Sequence, residues 1–121
     1  MKVLLDTNAL AVPEQLKIDI FEEIKKLIPN PEILTLSTVI DELKKIKDKK
    51  AAKVGLELLK IHNVRIIPTE GNVDEKIIET AKKLKAVVFT NDKELKNKCI
   101  KQGIPVMFVR KKRIIKIRGL E

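Results

Sequence analysis

The chain has one cysteine, one histidine, no tryptophan and no tyrosine among its 121 residues. Cys99 and His62 alone can build neither a disulfide framework nor a Cys/His zinc site. The only aromatics, Phe21, Phe89 and Phe108, all fall in apolar patterns. Stacking on exposed rings is therefore not expected to drive ligand affinity. No apolar run approaches the ~20 residues a membrane-spanning helix needs. Residues 2–5 read as a strand rather than as part of a leader peptide. The basic segments are not joined to a bulky aromatic face, which argues against a membrane surface. There is no internal repeat, linker or low-complexity tract. These absences predict a single cytoplasmic domain over residues 1–121, large enough for one core.

Charge is what the chain has in abundance. Charged residues make up 36% and hydrophobic residues 44%, a globular balance. Twenty-six Lys and Arg outnumber 17 Asp and Glu, for a net charge of +9. A Lys/Glu/Ile-rich composition suits growth at high temperature, but it explains the number of charges and not their imbalance. The excess fits a polyanionic partner.

Hydrophobic periodicity alternates between strand and helix. Residues 2–5 and 33–36 predict strands, as do residues 64–67, 86–89 and 106–109; residues 113–118 predict an additional basic edge strand. Leu16, Ile20, Ile24, Leu27 and Ile28 predict a helix over residues 14–28, with Pro13 near its start. Ser37-Thr38 opens another helix, and a lysine-rich stretch leads into helical residues 50–61. Asn72-x-x-Glu75 and Asn91-x-x-Glu94 resemble capping boxes for two more helices, the last ending at Gly103. Such β-α alternation predicts a mainly parallel sheet covered by helices on both faces.

Four acids then stand out. Asp6 ends the run Val3-Leu4-Leu5, Asp92 follows residues 87–91, and Glu42 and Asp74 lie in the early turns of predicted helices. In such a sheet, strand C-termini and helix N-termini share the ligand-binding edge. At ~100° per residue, Glu42 lies on the flank of its helix and Asp41 points nearly opposite. Asp74 falls near the buried face and Glu75 away; Asp92 falls near it and Glu94 away. A helix N-terminus, where an acid stabilises exposed amides, accounts comfortably for Asp92 and Asp74, less well for Asp6 and poorly for Glu42. Together at one edge they would repel one another unless a divalent cation neutralised them. In so basic a chain this points to metal-dependent cleavage of a nucleic acid. Cys99 reads as inert packing and His62 as a cap or surface residue.

Leu5-Asp6-Thr7-Asn8, Ile40-Asp41-Glu42-Leu43, Asp74 before Ile77-Ile78, and residues 89–95 resemble the successive motifs of PIN-domain ribonucleases, in order and across essentially the whole chain. The segment from Gly103 to Arg113 resembles archaeal members related to the eukaryotic small-subunit processome nuclease. Where the family often has two adjacent Asp residues at the third motif, this chain has Asp74-Glu75. The resemblance implies a three-layer α/β/α fold with a mainly parallel five-stranded sheet, plus the C-terminal edge strand. It implies an endoribonuclease in which Asp6, Glu42, Asp74 and Asp92 bind one or two Mg²⁺ or Mn²⁺ ions, supported by Asn8, Thr90 and Asn91. Lys44, Lys45, Lys47, Lys49, Lys50, Lys53, Lys93, Arg110, Lys111, Lys112 and Arg113 form the candidate RNA-binding rim. The implied partner is RNA, with precursor ribosomal RNA one candidate, and a homodimer is compatible. Two alternatives stay open: a toxin-type ribonuclease with an antitoxin partner, and a non-catalytic RNA-binding module. A haloacid-dehalogenase-type phosphotransfer site is disfavoured, because it needs Asp where this chain has Asn8.

Overall fold

The computed structural model describes residues 1–111 and 114–119. Its central strand, β1 (Lys2–Leu5), carries Val3, Leu4 and Leu5 at zero exposure. Such a run is buried on both faces, as a parallel sheet covered by helices requires. β2 (Glu32–Leu36) and β4 (Val87–Phe89) flank β1; β3 (Arg65–Ile67) lies outside β2, and β5 (Val106–Arg110) outside β4. All these pairs are parallel. β6 (Ile114–Arg118) closes the order β3-β2-β1-β4-β5-β6 antiparallel to β5. The mainly parallel sheet and the C-terminal edge strand thus match the sequence-based expectation, although Arg113 lies outside the described residues.

The first crossover departs from that expectation. In place of one helix over residues 14–28 there are two, α1 (Thr7–Leu16) and α2 (Ile20–Leu27). Lys17 adopts a left-handed conformation, with φ 55° and ψ 43°, and ends α1. Asp19 then caps α2, its carboxylate accepting from the Glu22 N–H at 3.1 Å. Pro13 lies inside α1, where it removes a backbone donor rather than marking a start. Tertiary packing outweighs that cost: Ala9, Leu10, Ala11 and Val12 are all buried. α1 packs on α4 (Lys49–Ile61) at Gly55, where a Cβ would lie 2.6 Å from the Leu10 carbonyl oxygen.

α3 (Ser37–Lys45) and α4 connect β2 to β3. α5 (Val73–Leu84) then carries the chain back to β4, on the far side of β1, and α6 (Lys93–Lys101) leads on to β5. Right-handed crossovers in opposite directions put α1–α4 on one face of the sheet and α5 and α6 on the other. The order reverses between β1 and β4, and a crevice opens at such a switch point beyond the carboxyl ends of the strands.

Candidate active site

Two neighbouring strands build the centre. β1 and β4 pair with Leu5 opposite Phe89, and the Asp6 N–H extends the ladder by donating to the Phe89 carbonyl at 3.0 Å. Asp6 and Thr90 therefore leave the sheet side by side, at its switch point. Asp6 occupies the N-cap position of α1, but its side chain makes no capping bond. It turns instead to Thr90, whose hydroxyl donates to Asp6 Oδ2 at 2.8 Å, and to Asn8, whose amide approaches the same oxygen at 3.4 Å.

The Thr90 hydroxyl is set by its surroundings. It is fully buried and accepts from the Asp92 N–H at 3.1 Å, which leaves its proton for Asp6. Asn8 is oriented likewise: its Oδ1 accepts from the Asn91 N–H at 2.7 Å, which turns its amide nitrogen toward Asp6. The side chain of Asn91 does not face the carboxylates. Its Oδ1 accepts from the Val109 N–H at 2.7 Å and ties the loop after β4 to β5. Asn91 is also not the cap of α6. Asp92 is, accepting from the N–H groups of Glu94 at 2.9 Å and Leu95 at 3.3 Å. At the start of α5 the expected cap does form, with Asn72 accepting from Glu75 at 2.9 Å.

Asp6 is only 4% exposed. Burial pushes its carboxyl from 3.8 up to about 6, against the bonds from the Thr7 backbone and Thr90 hydroxyl, and the charges of Glu42 and Asp74 push the same way. Asp74 is partly buried and also raised, first by burial, then by Asp92, with Glu42 and Glu94 adding and Lys98 opposing. All four singled-out acids thus share one electrostatic field. Beneath it the buried Cys99 thiol is raised to about 11, by burial and then by Asp6 and Asp74. A thiol held neutral in this way is not a nucleophile.

Glu42 reaches the field from α3, accepting a hydrogen bond from the Thr7 hydroxyl. Thr7 is buried and was not among the sequence-predicted residues; its position beside Asp6 at the strand–helix junction was the available signal. Asp41 is exposed on α3. It lines a cleft of about 450 Å³ together with Glu42 and Lys45, although it is absent from the charges that act on Asp6 and Asp74. Glu94 is exposed and paired with Lys98 at 3.4 Å, yet its charge also reaches Asp74. Facing judged from one helix cannot register a neighbour on another.

The lysines divide. Lys45 lines the cleft just described, and Lys47 lines a second, about 410 Å³, on the other side of Glu42 with Thr7, Asn8 and Gln15. Lys44 opens elsewhere, into an apolar groove with Leu56 and Leu59. Lys49 donates to the Lys44 carbonyl, and Lys50 pairs with Glu14 at 3.3 Å. Lys53 and Lys93 are exposed on α4 and α6. Arg110 ends β5 and Lys111 follows it, at the same sheet edge as Asp92, because β4 and β5 are parallel. Lys112 and Arg113 lie outside the described residues. His62 takes no part in the acidic cluster: its ring stacks on Phe21 with centroids 3.9 Å apart.

The donor set suits a hard divalent cation, since it consists of carboxylate, hydroxyl and amide oxygens. Among the described residues, no three His, Cys, Asp or Glu side chains meet at ligand distance.

The model of the PIN like domain matches residues 3–112 of this chain. Ribonuclease VapC4 of Methanocaldococcus jannaschii is 37% identical, with 98% of each chain covered. Ribonuclease VapC9 of Archaeoglobus fulgidus is 32% identical, covering 97% of this chain and 89% of the relative. The solved structure of the PIN domain endonuclease Utp24 superposes with a TM-score of 0.84 at 28% identity, over 98% of this chain and 92% of that one. In fold alone, a chain of VapBC2 from Rickettsia felis, bound to a promoter DNA fragment, is similar at a TM-score of 0.63 and 20% identity, covering 91% of this chain and 100% of that one. Across nearly its full length, in motif order and in topology, this chain belongs to the PIN-like domain family.

Proposed function

We propose that this protein is a divalent-metal-dependent endoribonuclease that hydrolyses phosphodiester bonds in RNA. The observation that carries the proposal is the buried Asp6 at the switch point, held by Thr90 and Asn8 and subject to the charges of Glu42 and Asp74. A stable fold does not need such a cluster. An ionised buried carboxylate surrounded by like charge is a cost that a bound cation removes.

Asp6, Glu42, Asp74 and Asp92 would hold Mg²⁺ or Mn²⁺, one ion or two. Bound there, a divalent ion supplies an acidified water and offsets charge on the scissile phosphate. The chain's own residues fix the geometry. Thr90 and Asn8 restrain Asp6 Oδ2, and Thr7 restrains Glu42 from the first turn of α1. The capping bonds of Asp92 fix its carboxylate relative to α6. Such supporting bonds govern metal affinity nearly as strongly as the ligands themselves. Lys45 and Lys47 flank Glu42 on opposite sides, where they would seat successive phosphates. Open clefts rather than a closed pocket suit a polymer that passes through.

RNA as substrate is supported by the excess of positive charge and by relatives named as ribonucleases. The resemblance of residues 103–113 to the small-subunit processome nuclease, alongside the likeness to the PIN domain endonuclease Utp24, favours a housekeeping role in ribosomal RNA processing. The names of the two curated relatives favour a toxin-type ribonuclease, whose gene would adjoin that of a small antitoxin. A cytoplasmic location follows from either. Purified protein should cut single-stranded or loop RNA with Mg²⁺ or Mn²⁺ and lose all activity in EDTA. Undiminished cleavage in EDTA would refute the mechanism, and inactivity across several RNAs and metals would favour a binding module.

A further inference from the structure

The cleft that Lys47 shares with Thr7, Asn8 and Gln15 also holds a carboxylate that the acidic centre does not use. Asp48 lines it from the start of α4, and Ala11 and Ile46 add apolar surface. Thr7, Asn8, Ala11 and Gln15 fall within about 100° of one another around α1. Gln15 stands about 12 Å along the helix axis from Thr7, whose hydroxyl holds Glu42. The cleft therefore leads from the acids, along one face of α1, to Gln15 and Asp48.

Asp48 does more than cap a helix. Its Oδ1 accepts from the Ala51 N–H at 3.0 Å, and its Oδ2 accepts from Gln15 Nε2 at 3.2 Å. The Ala51 bond, and then the Gln15 bond, hold the carboxyl below its ordinary value, so at neutral pH it is ionised and only accepts. A carboxylate can accept about four hydrogen bonds, and a primary amide donates two. Each Asp48 oxygen thus keeps capacity to accept, and Gln15 keeps a second N–H: one donor beside two acceptors. That order complements the Watson–Crick edge of guanine, whose O6 accepts and whose N1–H and N2–H donate. Adenine offers no second donor there, and uracil and cytosine set a carbonyl oxygen against the carboxylate. We propose that this cleft is a guanine subsite for RNA, in which Gln15 donates to O6 and Asp48 accepts from N1 and N2. The subsite rests on the nuclease reading and gives it a base preference near the cleaved bond. A carboxylate repels phosphates, so beside a nucleic-acid path it suits the edge of a base, while Lys47 in the same cleft suits the backbone. No aromatic ring lines the cleft, so hydrogen bonds to the base edge carry the preference.

The test is RNA binding in EDTA, where the metal-dependent chemistry is off. The probes are short uridine oligonucleotides whose central base is guanine, inosine, adenine, cytosine or uracil, and binding is read by fluorescence anisotropy. The guanine probe should bind about tenfold tighter than the all-uridine one. Inosine, which lacks the N2 amino group, should fall between them. Gln15→Ala and Asp48→Asn, both at exposed positions, should each bring the guanine probe about to the uridine level. Asparagine caps a helix as well as aspartate, so α4 is preserved in the second variant. Guanosine 5′-monophosphate should shift the backbone amides of Ala11, Gln15, Ile46 and Asp48 in the full chain. Equal affinity for all the probes, a guanine preference that survives both variants, or shifts confined to the acidic edge would overturn the subsite. Guanine-selective binding by a protein that cuts no RNA keeps the subsite and removes the nuclease reading, and cleavage without base preference does the reverse. Failure to bind any probe removes both.

Discussion

Asp6→Asn should stabilise the metal-free protein while destroying its response to metal. In the fold, the Asp6 carboxyl is raised from 3.8 to about 6. At about 1.4 kcal/mol per tenfold change in proton affinity, keeping it ionised at neutral pH costs the fold about 3 kcal/mol. The sign follows from the proton count. Between pH ~4 and ~6 the folded state holds a proton that the unfolded chain has released, so stability falls as pH rises through this window. Above it the penalty is complete, and below it absent. Asparagine retains an oxygen that can accept from Thr90 in place of Asp6 Oδ2. Allowing for imperfect replacement, the gain should be about 1–3 kcal/mol at pH 7.5, several degrees in Tm for a domain this size. At pH 4 the gain should vanish. The assay is thermal unfolding in EDTA across this pH range, repeated with Mg²⁺ or Mn²⁺. Metal should raise the wild-type Tm, as any ligand of the folded state does, and leave the variant nearly unmoved. A variant less stable than wild type at pH 7.5, or stabilised equally at pH 4 and 7.5, would refute the electrostatic account of this site.

Other substitutions separate roles that one carboxylate can combine. Asp92→Ala should lower metal-free stability by about 1 kcal/mol because it removes the cap of α6, the opposite direction to Asp6→Asn, and a melt in EDTA checks it. Asp92→Asn should cripple RNA cleavage whereas Glu94→Gln leaves kcat nearly intact and weakens metal binding only slightly; equal losses in both would mean that Glu94 is itself a ligand. Thr90→Val should lower metal affinity by about 10- to 100-fold, measured by titration calorimetry, and an unchanged affinity would remove Thr90 from the site. Neutralising Lys45 and Lys47 should weaken binding to unrelated RNAs by similar factors and reduce the salt slope by about one for each phosphate left without its cation, whereas neutralising Lys50, already paired to Glu14, should change the slope less.

The sequence alone determined what local chemistry and short periodicity encode. Alternating strands and helices specified a parallel sheet, because buried runs such as Val3-Leu4-Leu5 must be covered on both faces. Asn72 before α5 and Gly103 after α6 marked helix ends, because capping bonds span only a few residues. Strand exits followed by acids marked the edge where a site would lie. Tertiary structure alone decided how those acids are held and which neighbours join them. The bond from Thr90 to Asp6 links residues 84 positions apart, and that from Thr7 to Glu42 spans 35. No window along the chain contains both ends. The same holds for Asn91, whose side chain is claimed by Val109 of β5 while Asp92 takes the cap its motif had suggested for Asn91. It holds for α1, which tolerates Pro13 because its buried face packs against α4 at Gly55. It also divides the lysines, which are alike in sequence. Helix rotation sends Lys45 to the acidic edge and Lys44 into the apolar groove, because adjacent positions on a helix point about 100° apart.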